Sequence, residues 1–378
     1  MRVLIVDDSA FMRKILKEMI QSDPSLEVID TARDGLEGVE KAINLKPDLI
    51  TMDIEMPRMN GIDALREIMA RCTDNPPAVL MCSSLTAEGS AETLNALRIG
   101  ASDYLAKDPQ LHGKDDQAFK KQLLSKLRAI GGHRRRMASR FDTSVLTKKR
   151  RLSDRVASTL CTTFEDWVMP KQIDAIVIGS STGGPPILEQ ILSDLPETLP
   201  FPILIAQHMP KLFTESFAKR LNAHCACGAT LATHGSLLSS PRVYLAEGGS
   251  HLKPTRITGK KLTARTIEHI DGASYKPSVD LLFTTAAELF GPRVLAVQLT
   301  GMGDDGAIGA KVIRQQGGSV IAQNSDSCVV YGMPRAVVEN GSANAILSPS
   351  DIRKVIQAAA ITTDMGGSNQ NFSPRKIA

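Results

Sequence analysis

The sequence predicts two doubly wound α/β domains in tandem, joined by a polar linker. Three observations predict this. Short β-rich runs alternate with helix-spaced segments from Met1 to about residue 130. The alternation fails between residues 131 and 170, then returns from Gln172 to about Ala358. The expected limits are 1–130 and 171–360 for the domains, 131–170 for the linker and 361–378 for a polar tail.

In the first domain VLIV, LEVID, DLITMD, PAVLMCS and DYLA are short runs bounded by Gly, Pro or Asp. They read as five strands of a parallel sheet, with helical spacing between them at Phe11–Ile20 and Gly61–Arg71. The linker carries the charge runs HRRRM and KKRR and is rich in Ser and Thr, with a short helix expected at about Leu152–Thr159. Its basic runs read as solvated, flexible chain or, alternatively, as a dock for an acidic surface. In the second domain DAIVIG, FPILIAQ, RVYLAEG, RVLAVQLT and SVIAQ read as strands. The segment around Ile187–Gln190, FTESFAKRL, Asp305–Gln316 and Pro334–Glu339 read as helices. HLKPTRITGKKLTART looks like a β-hairpin inserted in the α/β pattern. The tail TTDMGGSNQNFSPRKIA is polar and expected to be disordered.

Composition narrows the function class. The 378 residues are 42% hydrophobic and 23% charged, ordinary for a soluble globular protein. A net charge of +4 is too small to imply a nucleic-acid partner. The start, MRVLIVDDSAFMRK, lacks the apolar core of a signal peptide, and no run of about 18 apolar residues exists to insert in a membrane. Six cysteines in a chain of this length do not make a disulfide framework. Cys225 and Cys227 have no second pair nearby, which argues against zinc. Reduced, buried thiols fit a cytoplasmic protein. No coiled coil or symmetric feature is evident, so a monomer is expected.

Each domain carries polar residues at strand ends. In the first, Asp7 and Asp8 close the first strand and Asp53 closes the third. In a parallel sheet these ends share one edge. Three carboxylates brought together repel unless a cation joins them, so the cluster predicts Mg²⁺. Ser83 ends the fourth strand and Lys107 follows the fifth. A hydroxyl and an ammonium beside such a cluster can hold a phosphoryl group on one carboxylate. Any one acid alone would read as an exposed loop residue; the combination in this order is the signal.

In the second domain Ser181 lies in IDAIVIGSSTGGPP, His208 ends PILIAQHMP, and Asp305 ends VLAVQLTGMGDD. Gly179–Gly183 matches the G-x-S-x-G turn, in which small neighbours permit a sharp strand-to-helix bend and the hydroxyl meets a helix N-terminus. On this segment alone a phosphate-binding loop competes, although G-x-G-x-x-G spacing is absent. An α/β-hydrolase runs serine, acid, histidine, and no histidine follows Asp305 here, so that family is excluded. Taken singly, His208 could be a strand-end histidine bonded to backbone, and Asp305 could cap the helix that follows it. Asp304 competes for the acidic role.

The first domain resembles the receiver domain of two-component response regulators over its whole length. The resemblance implies Asp53 as phospho-acceptor, Mg²⁺ bound by Asp8 and Asp53 with Asp7 assisting, and the carbonyl of Glu55 completing the site. It implies phosphoryl contacts from Ser83 and Lys107, and Tyr104 as the aromatic that moves with the switch. Lys107 is followed by Asp108-Pro109, where receivers usually have Lys-Pro.

GSSTGGPP, QHMP, and LTGMGDDGA with AQNSDSCVVYGMPRAV resemble the catalytic domain of chemotaxis protein-glutamate methylesterases, across Ile173–Ser348. With the receiver ahead, the resemblance extends to the full architecture. It implies Ser181 as nucleophile, His208 as general base and Asp305 as the acid that orients it. The amide of Met302 looks like an oxyanion-hole donor, Thr182 lines the site, and Asp304 occupies a variable position. The implied activity is phosphorylation-activated hydrolysis of glutamate γ-methyl esters, and deamidation of glutamines, on chemoreceptors, giving sensory adaptation. A chemotaxis histidine kinase is the implied phosphodonor, and the ester site needs no cofactor. The competing classes are a DNA-binding response regulator, a non-catalytic scaffold and a generic esterase. The first would need a basic recognition helix where the strand leading to Ser181 stands.

Overall fold

The computed structural model describes residues 1–84, 86–107, 117–141, 161–168, 170–257, 261–272 and 274–365. The first domain contains β1 (Arg2–Val6), α1 (Ala10–Gln21), β2 (Glu27–Ala32), α2 (Gly35–Leu45), β3 (Leu49–Asp53), α3 (Gly61–Arg71), β4 (Ala78–Ser84), α4 (Ala87–Ile99), β5 (Asp103–Lys107) and α5 (Gln117–Phe141). The strands form one parallel sheet in the order β2-β1-β3-β4-β5, the five-stranded arrangement expected.

Local chemistry starts these helices. Ser9, Asp34, Asn60 and Thr86 each accept a backbone N–H of the first turn of α1 to α4, satisfying a donor the helix leaves orphaned. Val3 to Val6 of β1 are all buried, as a central strand covered on both faces requires.

The second domain contains β6 (Ala175–Ser180), α6 (Gly184–Leu192), β7 (Ile203–Gln207), α7 (Lys211–His224), β8 (Ala229–Ala232), β9 (Val243–Ala246), β10 (His251–Arg256), β11 (Leu262–Ile267), α8 (Val279–Phe290), β12 (Val294–Gln298), α9 (Ala307–Gln315), β13 (Ser319–Gln323), α10 (Met333–Glu339), β14 (Ala345–Leu347) and α11 (Pro349–Met365). Seven strands make a parallel sheet in the order β14-β13-β12-β6-β7-β9-β8. β10 and β11 pair antiparallel as the expected hairpin.

Several elements differ from the sequence reading. α5 runs on to Phe141, past residue 130 where the pattern fades. At Gly131 a Cβ would lie 2.2 Å from Met1 Sδ, so the glycine that reads as a break lets the helix press against the start of β1. α8, β8 and β14 were not anticipated. α11 was not anticipated either, and it runs on to Met365, into the segment expected to be a polar tail. The helix expected at Leu152–Thr159 and the Asp108-Pro109 dipeptide lie outside the described residues.

The two domains pack directly. α4 lies against α7 and α6, and Tyr104 of β5 stacks on Phe213 of α7 with centroids 4.5 Å apart and planes 10° from parallel. Val330 and Met302 of the second domain join the apolar cluster around Leu123 and Leu127 of α5. Among the described residues no helix is long and apolar enough to cross a membrane.

Candidate active site

β12, β6 and β7 are neighbours in the middle of the seven-stranded sheet. Parallel register sets Ser180 beside Gln207 and Gly179 beside Gln298. The residues leaving these strands therefore emerge together: Ser181 after β6, His208 after β7, and 299–306 after β12. β7 and β12 flank β6 on opposite sides, so the crevice lies at a strand-order switch point, outside the carboxyl ends of the strands.

Ser181 stands on a tight turn. Its N–H donates to the Thr300 carbonyl at 3.0 Å, and its carbonyl accepts from Gly184 N–H at 2.9 Å and Gln207 Nε2 at 3.0 Å. Gly183, at φ 76°, caps the start of α6 in the left-handed region that favours glycine. The first amides of α6 thus begin beside the serine, where they favour developing negative charge. Gly301 approaches so closely that a Cβ there would sit 2.8 Å from the Cβ of Ser181.

His208 Nε2 lies 2.8 Å from Asp305 Oδ2. Its ring stacks on Tyr275, centroids 4.3 Å apart and planes 9° from parallel. Its other nitrogen, Nδ1, is buried and has no hydrogen-bond partner. Asp305 also accepts the N–H of Val279 on Oδ2 and of Asp280 on Oδ1, both at 2.8 Å, and the Ser278 hydroxyl at 3.2 Å. It therefore caps α8, not the helix that follows it in sequence; that helix, α9, starts from Gly306 with no side-chain cap. Burial alone would raise the Asp305 carboxyl. The hydrogen bond and charge of His208 and the α8 amides outweigh burial and hold the group below the usual carboxylate value.

Three residues here were not singled out in the sequence. Gln207 is fully buried; it donates to the carbonyls of Ser181 and, at 3.1 Å, His208, and it accepts the Ser180 hydroxyl. Tyr275 and Ser278 come from the segment before α8. A polar amide closing an apolar strand was the available signal for Gln207; the other two had none, because α8 itself was unread.

The remaining lining residues touch the first domain. Thr182 donates from Oγ1 to Asp103 Oδ2 at 2.6 Å, and Asp103 also pairs with Lys126 of α5. Met302 Sδ accepts the Ser125 hydroxyl at 3.2 Å. The first domain thus covers both the Thr182 and the Met302 edges of the crevice.

In the first domain the structure gathers the other predicted cluster. One carboxylate oxygen from each of Asp7, Asp8 and Asp53 lies within 4.8 Å of the others. Lys107 Nζ reaches Asp53 at 2.7 Å and Asp7 at 2.9 Å. Burial, with Asp7 adding repulsion, pushes the Asp53 carboxyl up to about 6 despite Lys107. Burial works against the Lys107 charge, but Asp53 and Asp7 hold its pKa above the usual value. Ser83, buried at the end of β4, donates to the Gly89 carbonyl at 3.1 Å. Asp8, Asp53, Glu55 and Lys107 line one surface cavity of about 570 Å³. Three hard oxygen donors with a raised carboxyl pKa fit a divalent cation of the Mg²⁺ type.

Comparison with known proteins agrees with both halves. Residues 3–112 match the response regulator receiver domain family and residues 176–356 the CheB methylesterase family. A protein-glutamate methylesterase/protein-glutamine glutaminase of Lawsonia intracellularis is 40% identical over 365 residues, covering 95% of this chain and 99% of its own length. One from Oleidesulfovibrio alaskensis is 42% identical, with 95% and 99% covered. One from Vibrio cholerae is 43% identical, with 90% and 93% covered. Full-length similarity at this level, on top of the two-domain fold and the crevice just described, establishes that the chain belongs to the protein-glutamate methylesterase/protein-glutamine glutaminase family, hydrolases that here carry a response-regulator receiver domain.

Proposed function

We propose that the chain hydrolyses glutamate γ-methyl esters, and deamidates specific glutamines, on the cytoplasmic part of chemoreceptors, and that phosphorylation of Asp53 activates it. The observation that carries the catalytic reading is the 2.8 Å pair of His208 and Asp305 beside Ser181, with His208 Nδ1 left unpartnered.

The Ser181 hydroxyl attacks the ester carbonyl carbon as His208 takes its proton. Because Asp305 engages Nε2, Nδ1 is the basic atom, the reverse of the nitrogen order in trypsin-like proteases. The tetrahedral oxyanion is held by backbone amides near Met302 and by the start of α6. Collapse expels methanol, which leaves with the proton from His208. Water, deprotonated by His208, then releases the glutamate carboxylate from the acyl-enzyme. With a glutamine the same steps release ammonia. No metal is needed, since histidine and amides supply the proton transfer and the charge stabilisation.

In the receiver, Asp8 and Asp53, with Asp7 assisting and the Glu55 carbonyl completing the site, would hold Mg²⁺, which would supply charge neutralisation for phosphoryl transfer. A chemotaxis histidine kinase is the phosphodonor, and Lys107 and Ser83 receive the phosphoryl group on Asp53. β5 links this event to the crevice. Lys107 at one end contacts Asp53, while Asp103 and Tyr104 at the other contact Thr182 and Phe213. The packing supports a resting state in which the receiver obstructs the substrate's approach, and phosphorylation loosens it.

The test is methanol release from methylated receptor membranes, with and without acetyl phosphate and Mg²⁺. Release that is abolished in Ser181→Ala, and that rises with phosphodonor in wild type but not in Asp53→Ala, is expected. Release insensitive to phosphodonor would remove the switch; no release from any receptor type would remove the substrate.

A further inference from the structure

We propose that Cys225 and Cys227 form a redox modification site, a dithiol that a hydroperoxide closes to an intramolecular disulfide. The inference is independent of the methylesterase reading and rests on a part of the fold that reading does not use.

The two thiols are held face to face by backbone. Cys225 ends α7, its N–H bonded to the Leu221 carbonyl at 2.8 Å. Its carbonyl accepts Gly228 N–H at 2.9 Å, and Gly228, at φ 75°, turns the chain into β8. Asn222 Oδ1 accepts Ala229 N–H at 3.0 Å and ties the far side of the turn back to the helix. Within this closed turn the sulfurs sit 3.2 Å apart. A disulfide bond is about 2.05 Å long, so bond formation asks for a movement of about 1.2 Å, within reach of small side-chain rotations. A shared zinc fits less well: with bonds of about 2.3 Å its two thiolates would stand about 3.8 Å apart. No third ligand group accompanies the pair either; the one cluster of three such groups among the described residues is Asp7, Asp8 and Asp53.

The chemistry of the pair differs from that of its neighbours. Cys82 and Cys328, singly buried, are pushed up to about 12, which makes them inert thiols at neutral pH. Cys225 instead falls to about 7, because the Cys227 thiol donates to it and the amides of Cys227 and Gly228 add to that, against burial. Cys227 rises correspondingly, since its proton is held by that bond. The pair therefore sheds its first proton near neutrality and shares the thiolate that remains.

Access is present despite burial. Cys227 lines a surface cavity of about 700 Å³ together with Thr230, Arg242 and Tyr244, wide enough for a small peroxide. The Arg242 charge favours the thiolate there. The shared thiolate displaces hydroxide from the O–O bond, leaving a sulfenic acid, and hydroxide takes up a proton to become water. The second sulfur then attacks the sulfenic sulfur and expels a second water. Two thiols and one hydrogen peroxide thus give one disulfide and two waters.

The test uses the full-length protein and hydrogen peroxide, followed by denaturation, alkylation of all remaining thiols and mass spectrometry. The expected result is that the peptide carrying both residues escapes alkylation, is lighter by two hydrogens, and recovers both sites after dithiothreitol. The reaction should outpace loss of Cys82 and Cys328 at least about tenfold, as their thiolate fractions require. Its rate should climb with pH to about 7 and then level off. In Cys227→Ser, Cys225 should pass to sulfinic acid with no cross-link. Full alkylation of both cysteines after other thiols are consumed would overturn the proposal. So would oxidation of either to sulfinic acid in wild type without a cross-link, or a bond between two chains.

Discussion

The hydroxyl of Thr182, next to Ser181, donates a 2.6 Å hydrogen bond to the carboxylate of Asp103, which belongs to the receiver. The bond is buried, and Lys126 pairs with the same carboxylate. One side chain of the receiver is thereby fastened to the turn that carries Ser181. A hydrogen bond to a charged group contributes about 1.5–3 kcal/mol, enough to bias whether the domains stay docked.

Asp103→Ala removes that fastening without touching the hydrolase sequence. Basal methanol release without phosphodonor should rise about tenfold, the population shift that about 1.4 kcal/mol of lost contact produces. The further gain on adding acetyl phosphate should shrink in proportion. An unchanged basal rate would show that docking does not depend on this contact.

Asp305→Asn tests the orienting role. It keeps the shape but weakens the hold on His208 and disturbs its tautomer. Turnover on methylated receptors should fall by about 10³–10⁴ with KM nearly constant. A rise in KM at constant kcat would place Asp305 in substrate binding instead.

The same carboxyl sets an acid limit on stability. Its folded pKa lies below the usual value, so its contribution is complete above the unfolded pKa of about 3.9. The contribution is lost as pH falls through the lower folded value. The melting temperature of the wild type should therefore drop more steeply than that of Asp305→Asn below about pH 4. Parallel curves would contradict the depressed pKa.

Gln207→Met keeps the volume and removes the amide. The carbonyls of Ser181 and His208 and the Ser180 hydroxyl lose a buried partner, at a cost of about 1–3 kcal/mol in unfolding free energy. Turnover should fall as well, because both strand-end residues are released at once. Loss of stability at full kcat would make Gln207 structural only.

Much of this was legible in the chain. Ser181, His208 and Asp305 each follow an apolar strand, and strand ends in a parallel sheet share an edge, so their convergence follows from pattern alone. The acids Asp7, Asp8 and Asp53 were legible for the same reason. α8 was not. Its sequence VDLLFTTAAELF is buried on most sides, so it shows no single apolar stripe, and two threonines add a strand-like signal. With α8 unread, the amides that seat Asp305 and the Ser278 hydroxyl had no visible origin. The glycine pair at 131–132 hid the continuation of α5, because intrinsic helix weakness is local information while the packing on Met1 and Leu49 that offsets it is not.

By itself, the sequence determined the central strands of both sheets, which polar residues end them, and that a receiver precedes a serine hydrolase; the edge strands β8 and β14 escaped it. The tertiary structure decided the rest: that β12 and β7 flank β6, that Asp305 caps α8, that Asp103 meets Thr182 and Tyr104 meets Phe213, and that two thiols share one turn. Periodicity along a chain reports burial and element type, whereas most of these contacts join residues far apart in sequence, such as Tyr104 and Phe213, or Gly179 and Gln298. The strand order and the Asp305 cap exist only once the second sheet has been wound, and the Asp103–Thr182 and Tyr104–Phe213 contacts only once the two domains have packed.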